Sequence, residues 1–215
     1  MKKIILLSFL IISALITITT AGSLYNISQK KLNKITKKYG EKAKKRAVIL
    51  DKVLHNAKGK DTLHKLKDVN DFWNKIKYRR DKSVWGKKDY WAAPFEFLGR
   101  GAGDCEDYAI AKYYSLRELG IPEKKLRITY VKLLRRRTKF EEAHMVLTYY
   151  HKPGATPIVL DNVNKKLKLA SKRKDLRPVY SFNASGLWQA KNKGKTSLRV
   201  GKNNLRNWKS LMGRI

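Results

Sequence analysis

Apolar residues recur three or four positions apart through the first third of the chain. Leu32, Ile35 and Tyr39 begin the pattern, and Val48, Leu50, Val53 and Leu54 continue it among lysines. After Gly59 it resumes with Leu63, Leu66, Val69, Phe72, Trp73 and Ile76. This spacing predicts a helical layer over about 24–77. From Trp85 to Gly103 the chain is aromatic without a clear period and reads as loop. A further amphipathic run, Ala109-Ile110-Ala111-Lys112-Tyr113-Tyr114-Ser115-Leu116, predicts a helix that Gly120 and Pro122 stop at Leu119. Branched and aromatic residues then predict strands at 127–134, 143–150, 157–160 and 178–182. Leu205, Trp208 and Leu211 predict a short closing helix in an otherwise basic tail, 191–215. Helices followed by an antiparallel sheet make an α+β arrangement.

The N-terminus departs from this pattern. Met1-Lys2-Lys3 precedes an uncharged, mainly apolar run from Ile4 to Ile18, and small residues Thr19-Thr20-Ala21-Gly22-Ser23 follow. That is the layout of a secretory signal, with cleavage expected after Ala21, so 1–21 is read as signal peptide and 22–215 as one domain. An uncleaved membrane anchor is the alternative, since the run approaches a bilayer-spanning length. Either way the protein is expected to work outside the cytoplasm.

Charge modifies the picture less than its size suggests. The chain carries 50 Lys and Arg against 17 Asp and Glu, a formal +33. Lysines are spread along the whole length and no nucleic-acid recognition motif is present, so a solvated basic surface is read and no nucleic-acid partner is expected. The densest runs, Arg135-Arg136-Arg137 and Lys172-Arg173-Lys174, are read as loops or as steering charge for an acidic protein.

Chemistry concentrates at the single cysteine. Cys105 sits between the glycine-rich Gly101-Ala102-Gly103 and the predicted helix, where the helix dipole and unpaired N–H groups favour a thiolate. An unpaired thiol in an exported chain is a liability unless it is used. Downstream, His144 lies in a predicted strand and Asp161 ends the next apolar run. Nucleophile, base and orienter then follow in the order of a Cys-His-Asp layout. Asp104, Glu106 and Asp107 crowd the thiol, although negative neighbours oppose a thiolate. Two explanations stand side by side: Asp104 and Asp107 cap the helix, or the carboxylates hold a hard cation such as Ca²⁺.

The segments Asp89-Tyr90-Trp91-Ala92-Ala93-Pro94-Phe95-Glu96-Phe97-Leu98, Gly101 to Tyr113, Ala143-His144-Met145-Val146 and Leu160-Asp161-Asn162 together resemble the bacterial transglutaminase-like cysteine proteinases of the LapG type, over about residues 70–190. The resemblance implies a papain/transglutaminase-like fold with a catalytic core over about 85–190. It also implies a periplasmic location, dependence on Ca²⁺, and a Cys-His-Asp triad of Cys105 as nucleophile, His144 as base and Asp161 as its orienter. Asp104 and Glu106 become the implied calcium ligands, with Asp107 a weaker one. The implied activity is cleavage near the N-terminus of a large surface adhesin, commonly at a dialanine in an Ala-Ala-Gly context. An inner-membrane c-di-GMP receptor that sequesters the protease is the implied regulator. The lysine content and basic tail are not features of that family. The same triad would also serve a transglutaminase or amidase acting on envelope proteins, and a non-enzymatic module gripping anionic envelope components is a third reading. The second oxyanion donor, beside the Cys105 N–H, is expected from the Trp91 region.

Overall fold

The computed structural model describes residues 27–135, 140–191 and 196–215. The apolar N-terminal run, and with it the expected signal or anchor, lies outside the described residues, as do Arg136 and Arg137. Among the described residues no helix is long and apolar enough to cross a membrane.

The helical layer forms as the spacing requires. Helices α1 (Gln29–Tyr39), α2 (Glu41–Ala57) and α3 (Thr62–Trp73) bury Ile35, then Ala43, Ala47, Leu50 and Leu54, then Leu66, Val69, Phe72 and Trp73. Ser28 Oγ accepts the Lys31 N–H at 3.3 Å and Asp61 Oδ1 accepts the His64 N–H at 3.1 Å, so two helices start on side-chain caps. Gly40, at φ 79°, makes the turn between α1 and α2 where an L side chain would be strained.

The segment between the layer and the cysteine differs from the loop expected of it. It contains β1 (Lys77–Tyr78), α4 (Asp81–Trp85), α5 (Pro94–Arg100) and β2 (Ala102–Gly103). Pro94 opens α5, and Glu96 Oε2 reaches back to accept the Ala93 N–H at 2.8 Å. Arg46 of α2 closes the other end of α5 by donating to the Leu98 and Gly99 carbonyls, both at 2.7 Å. Strands β1 and β2 pair in parallel, and the Arg79 N–H extends the ladder to the Gly103 carbonyl at 2.8 Å. This short ladder lays the start of α4 beside the residues that lead into the cysteine helix.

That helix is α6 (Cys105–Glu118), with Leu119 at its C-cap and Gly120 at φ 80° beyond. It packs on a seven-stranded antiparallel sheet of β3 (Leu126–Arg135), β4 (Phe140–Tyr149), β5 (Ile158–Leu160), β6 (Lys168–Leu169), β7 (Leu176–Phe182), β8 (Leu187–Lys191) and β9 (Thr196–Gly201). The strand order is β6-β5-β4-β3-β7-β8-β9. The four expected strands are present with shifted ends, whereas β6, β8 and β9 were not foreseen, so the basic tail contributes a sheet edge before α7 (Arg206–Met212) closes the chain. Ile110, Tyr113 and Leu116 of α6 join Leu126, Ile128, Leu147 and Phe182 of the sheet and Trp73 and Phe97 of the helical layer in one core. Each such large apolar side chain contributes about 1.5–3 kcal/mol on burial. Trp73 stacks on Phe97 with centroids 5.4 Å apart, and its Nε1 donates to Ser115 Oγ at 2.8 Å. These contacts fix α6, and therefore Cys105, to both layers.

Candidate active site

Cys105 opens the first turn of α6 and is partly exposed to a cleft of about 840 Å³. Across the cleft stands His144, in the middle of β4, together with Met145, Tyr130 and Tyr180. The Cys105 thiol donates to Glu106 Oε2 at 3.0 Å. Burial, then the charge and hydrogen bond of Glu106, then the charge of Asp104, push this thiol well above its ordinary range. A thiol so placed is held protonated by its own neighbours.

His144 is 4% exposed and its partner is fixed. His144 Nε2 lies 2.8 Å from Asp161 Oδ1, just past the end of β5. Burial opposes ionisation of Asp161, but hydrogen bonds from His144, the Val163 N–H and Arg173 outweigh it and hold the carboxyl below the usual carboxylate range. An ionised carboxylate only accepts, so Nε2, the ring nitrogen that faces Asp161, is the donor of this bond.

Asp161 is secured on its other sides as well. Arg173 Nη2 donates to Oδ2 at 2.7 Å, and Asn74 Nδ2 donates to the Asp161 carbonyl at 2.9 Å. Asn74 Oδ1 in turn accepts from Lys112 Nζ at 2.9 Å, inside α6. Neither Arg173, Asn74 nor Lys112 was marked by the sequence, because nothing local to them signals a distant carboxylate.

The acidic residues form one cluster, larger than the sequence suggested. Asp81, Asp104 and Asp107 offer oxygens within 4.8 Å of one another, and so do Asp81, Asp89 and Glu106. The β1–β2 ladder is what brings Asp81 to Asp104. Desolvation, then the charges of Asp104 and Asp89, raise Asp81 to about 7. Desolvation first and Glu106 second raise Asp104, and burial also raises Glu106 and Asp107. Asp81 Oδ1 and Asp104 Oδ1 are buried without a hydrogen-bond partner. Unpaired buried carboxylate oxygens converging from several elements suit a hard divalent cation with oxygen ligands, which would supply the missing positive charge.

The two explanations of the acidic run divide between residues. Asp107 Oδ1 accepts the Ala92 N–H at 2.8 Å and Oδ2 accepts the Asp104 N–H at 3.3 Å, so its oxygens are committed to backbone donors and it acts chiefly as a capping residue. Asp104 and Glu106 line the cleft with oxygens in the cluster, and Asp107, which does not line it, still offers an oxygen to the group with Asp81 and Asp104. In the Trp91 region, the Ala92 and Ala93 N–H groups are spent on Asp107 and Glu96, while Trp91 lines the cleft and stacks on Phe182 at 5.4 Å.

Residues 36–184 match the family model of the bacterial transglutaminase-like cysteine proteinases (BTLCP). EGTA-treated LapG of Legionella pneumophila superposes with a TM-score of 0.74 at 40% identity, covering 86% of this chain and 96% of that one. The calcium-bound form of the same protein gives 0.72 at 39% identity, covering 86% and 97%. A comparison with curated protein sequences found no match. With the family model spanning residues 36–184 and a solved relative 40% identical over 86% of this chain, the chain belongs to the bacterial transglutaminase-like cysteine proteinases.

Proposed function

We propose that this protein is a calcium-dependent cysteine endopeptidase in which Cys105 attacks, His144 moves the proton and Asp161 orients the base. The observation that carries the reading is His144 on the wall of the same cleft that Cys105 opens into, backed at 2.8 Å by the buried Asp161. His144 Nδ1 takes the thiol proton, and Cys105 Sγ attacks the peptide carbonyl. The imidazolium then protonates the leaving amine, and water, deprotonated by the same Nδ1, hydrolyses the thioester. The Cys105 N–H at the start of α6 faces the developing oxyanion, with a second donor from the Trp91 region.

Asp81, Asp89, Asp104 and Glu106 are the residues that would hold Ca²⁺. When bound, the ion supplies positive charge that offsets the carboxylates now opposing the thiolate. Support comes from the orphaned oxygens of Asp81 and Asp104 and from the similarity to a relative solved with calcium.

The substrate we propose is the N-terminal region of a large surface adhesin, cut in the periplasm after export of this chain, with release of the adhesin and loss of attachment. An inner-membrane c-di-GMP receptor is the proposed regulator. Family membership and the apolar N-terminal run support this assignment. The experiment compares cells with and without the protein by terminal proteomics of the medium. A large surface protein should appear in the medium with a new N-terminus only when Cys105 is intact. Crosslinked envelope proteins and ammonia release without new termini would favour the transglutaminase instead.

A further inference from the structure

The basic run Lys172-Arg173-Lys174 reads as loop or as steering charge for an acidic protein, yet its middle member is 2% exposed. After the 3-10 turn Ala170–Lys172 the Arg173 side chain turns inward between two carboxylates. Its Nη2 donates to Asp161 Oδ2 at 2.7 Å and to Asp175 Oδ2 at 2.8 Å, while Nε donates to Asp175 Oδ1 at 2.9 Å. The opposite oxygen of Asp161, Oδ1, meets His144 Nε2 at 2.8 Å and the Val163 N–H at 2.9 Å.

We propose that Arg173 is a positioning residue for the proton-transfer pair: its guanidinium, held through Nε and Nη2 by Asp175, donates one Nη2 bond that fixes the rotation of the Asp161 carboxylate, so that Oδ1 aims at His144 Nε2 and the ring presents Nδ1 to Cys105. This rests on the roles proposed above for Cys105 and His144. The carboxyl torsion of an aspartate is broad and roughly two-fold, so the backbone alone does not choose which oxygen faces the imidazole or at what tilt. Arg173 makes that choice from behind. Asp175, with its side chain 23% exposed, anchors the guanidinium through Nε and Nη2 from the solvent side, while Nη1 is buried without a hydrogen-bond partner.

Charge counts point the same way. With neutral imidazole, Asp161, Asp175 and Arg173 sum to one negative charge, and protonation of His144 brings the group to neutrality. Arg173 therefore helps keep the orienter ionised in a buried place. A lysine would restore the charge but not the planar fork that spans two carboxylates. The competing role is purely structural, a buried ion pair that ties the 162–175 segment to the sheet.

The test reads the nucleophile directly. Cys105 is the only cysteine, so iodoacetamide alkylation in calcium buffer at neutral pH reports it without a substrate. Wild type is compared with Asp161→Asn, Arg173→Met, Arg173→Lys, Asp175→Asn and the Arg173→Met/Asp161→Asn double variant, each checked for a native melting transition. Arg173→Met is expected to slow alkylation by about tenfold or more, the scale on which misplaced reacting groups lose rate. Arg173→Lys should recover part of the rate. The double variant should be no slower than Asp161→Asn alone, because both lesions remove one orientation. A folded Arg173→Met alkylating at the wild-type rate, or a double variant slower than either single one, overturns the proposal. Should Arg173→Met fail to fold, Asp175→Asn decides: a smaller slowing supports the fork, and a wild-type rate overturns it. His144→Ala at the wild-type rate would instead overturn the Cys105–His144 pairing, and the role of Arg173 with it.

Discussion

Lys112 gives the sharpest quantitative test of how the site is built. It lies on α6 with no exposed surface, and its Nζ donates to Asn74 Oδ1 at 2.9 Å. Desolvation lowers its pKa from an ordinary 10.5 to about 7. The native state therefore releases this proton at lower pH than the unfolded chain does. Between about pH 7 and 10.5 the unfolded chain binds more protons, so this group makes stability rise with pH across that window, and its full cost is present below it. At about 1.4 kcal/mol per pH unit, raising the pH from 7 to 9 should return roughly 2–3 kcal/mol. Lys112→Met keeps an apolar stem and removes the amine. Urea unfolding of both proteins in calcium buffer at pH 7 and pH 9 isolates the group, because the other titrating residues cancel in the difference. Wild type should gain about 2 kcal/mol on the variant over that interval. Parallel pH dependences in the two proteins would refute the buried, largely neutral amine.

Gly103→Ala should lower stability by about 1–3 kcal/mol in thermal or urea unfolding, because an added Cβ would collide with Asp107 Oδ2 and the Phe97 ring. Ca²⁺ should raise the melting temperature, by an amount equivalent to about 2.7 kcal/mol at a hundredfold excess over Kd, with Mg²⁺ the weaker stabiliser. Asp81→Asn should weaken calcium binding measured by calorimetry as Asp104→Asn does; an unchanged affinity would remove Asp81 from the site.

What the sequence made legible were features with a local period or motif. The helical layer and the four strongest strands follow from apolar spacing, and Cys105 stands out by its immediate neighbours, whereas His144 and Asp161 are picked out by their order after it and by the family resemblance. Helix α5 was hidden by Phe95, Phe97 and Leu98, which blur any amphipathic period, although Pro94 with Glu96 behind it is a start signal. In β9 the alternation of Ser197 and Arg199 with Leu198 and Val200 is present, but the surrounding lysines make the segment read as tail. Asp81 and Arg173 were illegible for a different reason. One reaches the site through the β1–β2 ladder and the other through burial against Asp161, and both are long-range pairings that no local pattern encodes.

The most direct measurement treats a proteome-derived peptide library with the purified protein and identifies products by mass spectrometry. Reactions are run in Ca²⁺ and in EGTA, with wild type and with Cys105→Ala. The account requires new peptide termini, each with the elements of water added, from wild type in Ca²⁺ and from neither control. Cleavage that persists in EGTA or with Cys105→Ala, or crosslinks and ammonia in place of new termini, would contradict it.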